Sequence, residues 1–163
     1  MDNLKKSVVS AVIVEIELMI STAEKERQKA IEESQYHKGA MESCYDTFKE
    51  EAQYLMAAQD LRIRDLSGTV SALKVLLSKP IIQKERIEPS ALVEIEDADN
   101  GTRSTYLILS EGGGISCSID GRSVFTISVT SPLARVLIGL RSGGDVELNV
   151  GTTKKYFTVV SVS

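Results

Sequence analysis

Between Glu42 and Glu51 the sequence reads ESCYDTFKEE, which places four carboxylates and one lysine, Lys49, within a short stretch. The local charge of −3 suits a divalent cation. Mg2+ takes oxygen ligands, commonly one or two carboxylates, with water and phosphate oxygens completing the shell. Asp46 and Glu50 stand four positions apart and share a face if a helix has begun by Asp46. Glu42 and Glu51 are candidate supplements. Two carboxylates do not hold such an ion tightly, so this chemistry needs a partner that brings further ligands. The same residues have a second explanation, because acidic side chains at a helix start are stabilised by capping and by the macrodipole without any ligand.

Other constellations carry less. His37 and Cys44 lie close in sequence near the same stretch, but two ligands without a second pair make a poor zinc site. Gly112-Gly113-Gly114 is not followed by a helix with Lys-Ser/Thr, so it reads as a turn and not as a phosphate cradle. A single histidine leaves no Ser-His-Asp or Cys-His arrangement to build. Cys44 and Cys117, one in each half, read as thiols of a reducing compartment. Residues 1–80 carry 11 Lys/Arg against 13 Asp/Glu and residues 81–163 carry 8 against 10, so each half is −2. No basic face marks a free-standing nucleic-acid binder. The first residues, MDNLKKSVVSAVIVEIELMI, contain an apolar run, but Glu15 and Glu17 interrupt it and no small-residue cleavage site follows. The run reads neither as a signal peptide nor as a membrane span. A cytoplasmic protein without membrane or small-molecule substrate is the expectation.

The elements that would position the acidic stretch follow from periodicity. From Leu4 to Pro80 there is no earlier proline, and the only glycines are Gly39 and Gly68. Val8, Val12, Ile16, Met19, Ala23, Ala30 and Ile31 form one apolar series, and Ala52, Leu55, Gln59, Ile63, Leu66, Val70, Leu73 and Leu77 form another. Spacings of three and four predict the seam of two antiparallel helices. YHKGAMESCYDTF breaks the pattern, which puts the hairpin tip near residues 37–49, and Pro80 ends the second helix. A first helix of about 30 residues is ~45 Å long, too long to bury its distal half in a chain of this size. The tip must project into solvent or into a partner.

After Pro80 the period becomes two. ALVEIED, RSTYLILS, SVFTISV, DVELNV and KYFTVVSV read as five short strands, with turns at Asp99-Asn100-Gly101, Gly112-Gly113-Gly114, Asp120-Gly121 and Gly143-Gly144. Among them lies TSPLARVLIG, where Ser131 is a helix N-cap, Pro132 takes the first helical position, and Leu133, Val136, Leu137 and Leu140 give an apolar face. The prediction is an α+β chain of two domains. Residues 1–79 form a long antiparallel coiled-coil hairpin, and residues 80–163 a small antiparallel sheet domain with one helix.

This order of parts resembles the Gre family of bacterial transcript cleavage factors, which bind RNA polymerase. TYLIL, ISVTSPLARVLIG, GGDVEL and YFTVVSV fall in the family's order between Thr105 and Val162. The resemblance implies an FKBP-like sheet domain whose helix docks on the rim of the polymerase secondary channel, with Ser131, Pro132, Leu133 and Arg135 as the contact residues. Few aromatic residues are available for an isomerase pocket, so Tyr106, Phe125, Tyr156 and Phe157 read as core. In the hairpin, KEEAQY (Lys49–Tyr54) is the counterpart of a family helix beginning roughly E-N-A-E-Y. The family's tip aspartate aligns with Thr47, and Asp46 lies one position earlier. The resemblance implies that Asp46 and Glu50, with Glu42 and Glu51 behind them, share a Mg2+ with the polymerase's own aspartates and stimulate cleavage of backtracked RNA. The factor is then no enzyme by itself, and it meets nucleic acid only inside the elongation complex. Two alternatives stay open: a regulator that fills the channel without cleaving, and a hairpin serving an unrelated partner. Arg62 and Arg64 read as solvated, or as available to nucleic acid in the channel.

Overall fold

The computed structural model describes residues 2–36, 42–80 and 85–163. Two helices come first, α1 (Asp2–Tyr36) and α2 (Glu42–Ser78). At 35 and 37 residues each is ~50–55 Å long. α2 stops at Ser78, two residues before Pro80, because proline disfavours helical geometry at the residue preceding it. The predicted tip segment is mostly helix: α2 begins at Glu42, so Asp46 and Thr47 lie within it. Residues 37–41, where the turn was expected, lie outside the described residues.

The chain forms two compact units, one of Ile16–Ser71 and one of Met1–Glu15 together with Ala72–Ser163. In the first, Ile16, Ala23, Ala30, Ala52 and Val70 are buried along the predicted seam. One position differs. Leu55 is 55% exposed and Met56 is half-buried in its place, since spacings of three and four from Ala52 fit the period equally well. Where the apolar series of α1 lapses, polar pairs link the two helices: Arg27 Nε lies 2.6 Å from Asp60 Oδ1, and Gln59 Nε2 donates to Glu26 Oε2 at 2.9 Å.

The second unit is built on a six-stranded sheet: β1 (Leu92–Asp97), β2 (Arg103–Leu109), β3 (Ser116–Ile119), β4 (Arg122–Ser128), β5 (Asp145–Val150) and β6 (Thr153–Val162). Their spatial order is β3-β4-β2-β1-β6-β5. The sheet is mixed, because β4 pairs with β2 in parallel while every other neighbour is antiparallel. The extra strand is β3. It reverses direction after β2, then turns through Asp120 and Gly121, both at positive φ, so that β4 comes back beside β2. An Asp-Gly pair suits this tight turn because both positions are left-handed. Gly113 has φ +146, and a Cβ there would sit 3.0 Å from Ser128 N, so the close approach of this loop to β4 requires glycine.

Helix α3 (Pro132–Leu137) packs on one face of the sheet, where Ile87, Val93, Ile95, Ile108 and Val159 are buried with Ala134 and Leu137. The opposite face is buried as well, through Leu92, Leu107, Leu109 and Val124. In the same unit α1 buries Val8, Val9, Val12 and Ile13, the wider pattern of a helix with more than one neighbour. Lys5 Nζ donates to Ser163 O at 2.9 Å, and the Glu15 charge acts on the Cys117 thiol of β3. These links place the first turns of α1 over the second face.

Candidate functional site

The residues singled out after Val129 are brought together by α3. Ser131 takes an extended conformation (φ −65, ψ 147), and its Oγ accepts from Ala134 N at 3.2 Å. This satisfies one of the N–H groups that the helix start leaves unpaired, and Pro132 at the first helical position has no N–H to satisfy. The helix is short. It ends at Leu137, Ile138 N bonds Ala134 O at 2.9 Å, and Gly139 turns the chain at φ +91.

Six residues allow one buried pair, Ala134 and Leu137, one turn apart. Leu133 and Leu140 pack partly against the core. Val136, expected on the apolar face, is instead exposed, and so are Pro132, Arg135 and Ile138. The outward surface of α3 is therefore a cation flanked by apolar side chains. Among the described residues no ion-pair partner reaches Arg135. Of the four predicted contact residues, Pro132 and Arg135 are presented outward, Leu133 is half-buried, and the Ser131 hydroxyl is used in the cap. Sequence reasoning missed Val136 and Ile138 as surface residues, and Gly139 right after them is the signal that the helix ends too soon to bury both.

On the hairpin, Glu50 and Glu51 are exposed on α2, and Thr47 is exposed beside them. Asp46 belongs to α2, but its side chain, like those of Glu42 and Cys44, lies outside the described residues, as does His37 entirely. Among the described residues no three His, Cys, Asp or Glu side chains cluster as a metal site, and no helix is long and apolar enough to cross a membrane. One face of α2, with Glu50, Gln53, Tyr54 and Ala57, lines an open depression of about 430 Å³, and Tyr54 is 78% exposed. The aromatics of the sheet divide: Tyr106 and Phe157 pack on the core, whereas Phe125, 5.8 Å from Tyr106, and Tyr156 are partly exposed.

A helical hairpin followed by a mixed sheet with one short helix defines a two-part α+β protein, and comparison with known proteins gives the family. Residues 82–163 match the family model described as transcription elongation factor GreA/GreB, C-terminal part. The transcription elongation factor GreA of Jannaschia sp. is 29% identical over 136 residues, covering 83% of this chain and 80% of that protein. GreA of Sulfurovum sp. is 30% identical over 119 residues, covering 70% and 69%. Among solved structures, GreA factor homolog 1 of Thermus thermophilus is 22% identical with a TM-score of 0.37, covering 94% of this chain and 95% of that one. The chain belongs to the GreA/GreB family of transcription elongation factors.

Proposed function

We propose that the protein docks on bacterial RNA polymerase through α3 and inserts the hairpin tip into the secondary channel, where it promotes cleavage of backtracked RNA by the polymerase's own active site. The observation that carries this reading is the outward surface of α3. Within the segment that matches the family, Pro132 and Arg135 project from a helix whose cap and buried pair are otherwise fully used. An exposed cation bordered by apolar groups suits the rim of an interface, where charge sets orientation and on-rate.

At the tip, Asp46 and Glu50 are the residues to meet a Mg2+ held jointly with the polymerase, with Glu42 and Glu51 behind them. The donor set fits this sharing: Glu50 is exposed, among the described residues nothing pairs with it, and a carboxylate offers only acceptor oxygens. The ion, when bound, supplies Lewis-acid stabilisation and an activated water for phosphodiester hydrolysis. The protein's part is to carry carboxylates to a place where the polymerase supplies the other ligands. It acts as a stimulator of the polymerase nuclease and not as an enzyme by itself.

The test is a purified, backtracked elongation complex with Mg2+, in which the protein is expected to release short 3′ RNA fragments. The double variant Asp46→Asn/Glu50→Gln leaves the seam untouched and is expected to bind normally. Its cleavage should fall by at least the ~100-fold that loss of even an outer-shell metal partner can cost. Equal cleavage by the variant would remove the tip from the mechanism.

One observation favours the channel-filling regulator as a second reading. Thr47 occupies the aspartate position of the family, and both Thr47 and Asp46 lie in α2. A shift of one residue in a helix turns the side chain by ~100° about the axis. A wild-type protein that slows nucleotide addition and yields no fragments would establish that reading.

A further inference from the structure

The chain between α2 and β1 does more than connect them. Ile87 is fully buried in the same core as Ala134 and Leu137, and both of its backbone groups are paired with the turn that ends α3. Ile87 N donates to Leu140 O at 2.8 Å, and Gly139 N donates to Ile87 O at 2.8 Å. Arg86 Nη1 donates to Gly139 O at 3.1 Å, and Arg141 Nη2 lies 3.2 Å from Glu85 Oε2. The two segments thus run antiparallel and hold each other at four points, outside any strand of the sheet. Gly139 needs this support. At φ +91 it follows directly on Ile138, whose exposed side chain stands beside Arg135 and Val136 on the outward surface of α3.

We infer that Glu85, Arg86 and Arg141 are positioning residues for docking: the connector straps the C-terminal turn of α3 and fixes the angle at which Arg135, Val136 and Ile138 meet the partner. This rests on the reading of α3 as the docking surface and adds residues that do not themselves belong to it. The physical reason is preorganisation. A turn already held in its bound geometry loses less conformational freedom on association, so the strap raises affinity without touching the partner. The folded state itself depends little on the outer contacts, because exposed pairs contribute little to stability.

Charge exchange tests the strap. Glu85→Arg sets three cations together, and Arg141→Glu sets two carboxylates together, so each should open the outer end of the strap. Each single variant of the full-length protein is expected to bind polymerase about fivefold more weakly in a titration. The exchanged pair, Glu85→Arg with Arg141→Glu, should return to within about twofold of the wild type. Thermal unfolding midpoints should stay level throughout, which separates positioning from a structural role. The two single variants change net charge in opposite directions, so a general electrostatic effect on encounter would strengthen one and weaken the other. That result would overturn the inference. So would a double variant as weak as Arg141→Glu alone, which would make Arg141 a direct contact. Arg135→Glu serves as the reference. If it loses affinity while the strap variants do not, the strap fails and the docking surface stands; if it binds as the wild type does, both readings fall together.

Discussion

Arg135 is exposed on a helix with nothing opposite it among the described residues, so its replacement changes association more than folding. A rim charge contributes ~1 kcal/mol, roughly fivefold in affinity, and reversal adds like-charge or unpaired-charge penalties on top. Arg135→Glu is therefore expected to weaken polymerase binding at least fivefold, with no change in circular dichroism or unfolding midpoint. Cys117 behaves in the opposite way, because its environment acts on stability. Burial pushes its thiol above the ordinary range, and the charge of Glu15 pushes in the same direction. The fold thus favours the protonated thiol. That contribution is complete below the pKa of the unfolded thiol, about 8.5, and is lost as pH rises from there through the raised folded value. Unfolding midpoints measured from pH 7 to pH 10 should decline less steeply for Cys117→Ser than for the wild type. Parallel curves would show that the thiol is not coupled to folding.

At the scale of elements, the hairpin seam carries one internal defect. Gln59 takes a seam position, and its Oε1 is buried without a hydrogen-bond partner among the described residues, although its Nε2 reaches Glu26. An unsatisfied buried acceptor costs ~1–3 kcal/mol, and exposed Glu26 finds water in place of the lost amide. Gln59→Leu should raise the unfolding midpoint of the hairpin, and a lowered midpoint would mean that Gln59 is held for pairing. The seam around it was legible because Ile16, Ala23 and Ala30 on α1, and Ala52 and Val70 on α2, keep a helical period. The short elements were not. Ser116–Ile119 is four residues with two serines at an edge, too short and polar to stand out, and the parallel pairing of β2 with β4 depends on that strand. In α3, hydrophobicity alone favours Val136 over Ala134 as the inward residue, yet Ala134 is the one buried with Leu137 in the core. Helix α3 was legible from its Ser131 cap and Pro132 entry. At the acidic stretch, any ligands that another molecule would bring leave no pattern in this chain.

At the scale of the whole molecule, the boundary suggested by the change of period at Pro80 does not coincide with a compact unit: Met1–Glu15 and Ala72–Ser163 belong together. Leu92, Leu107, Leu109 and Val124 line the sheet face over which α1 begins. Burial of such a side chain is worth ~1.5–3 kcal/mol, so residues 85–163 expressed alone should melt well below the same unit in the full chain. An unchanged midpoint would show that the sheet covers that face without α1.

The same discontinuity gives the hairpin an unusual freedom. Ile16–Ser71 is one uninterrupted stretch of sequence, and the chain on both sides of it belongs to the other unit, in the way a guest domain is inserted into a host. A guest of this kind can change size without disturbing its host, provided the two arms change together. Removing or adding one heptad in each helix preserves the seam and shifts the tip by ~10 Å. The length of the arms is thereby a separately adjustable quantity, set by the number of turns in residues 16–36 and 42–71. Lineages could retune the length of the hairpin by indels in the arms alone, while the sheet unit stays as it is.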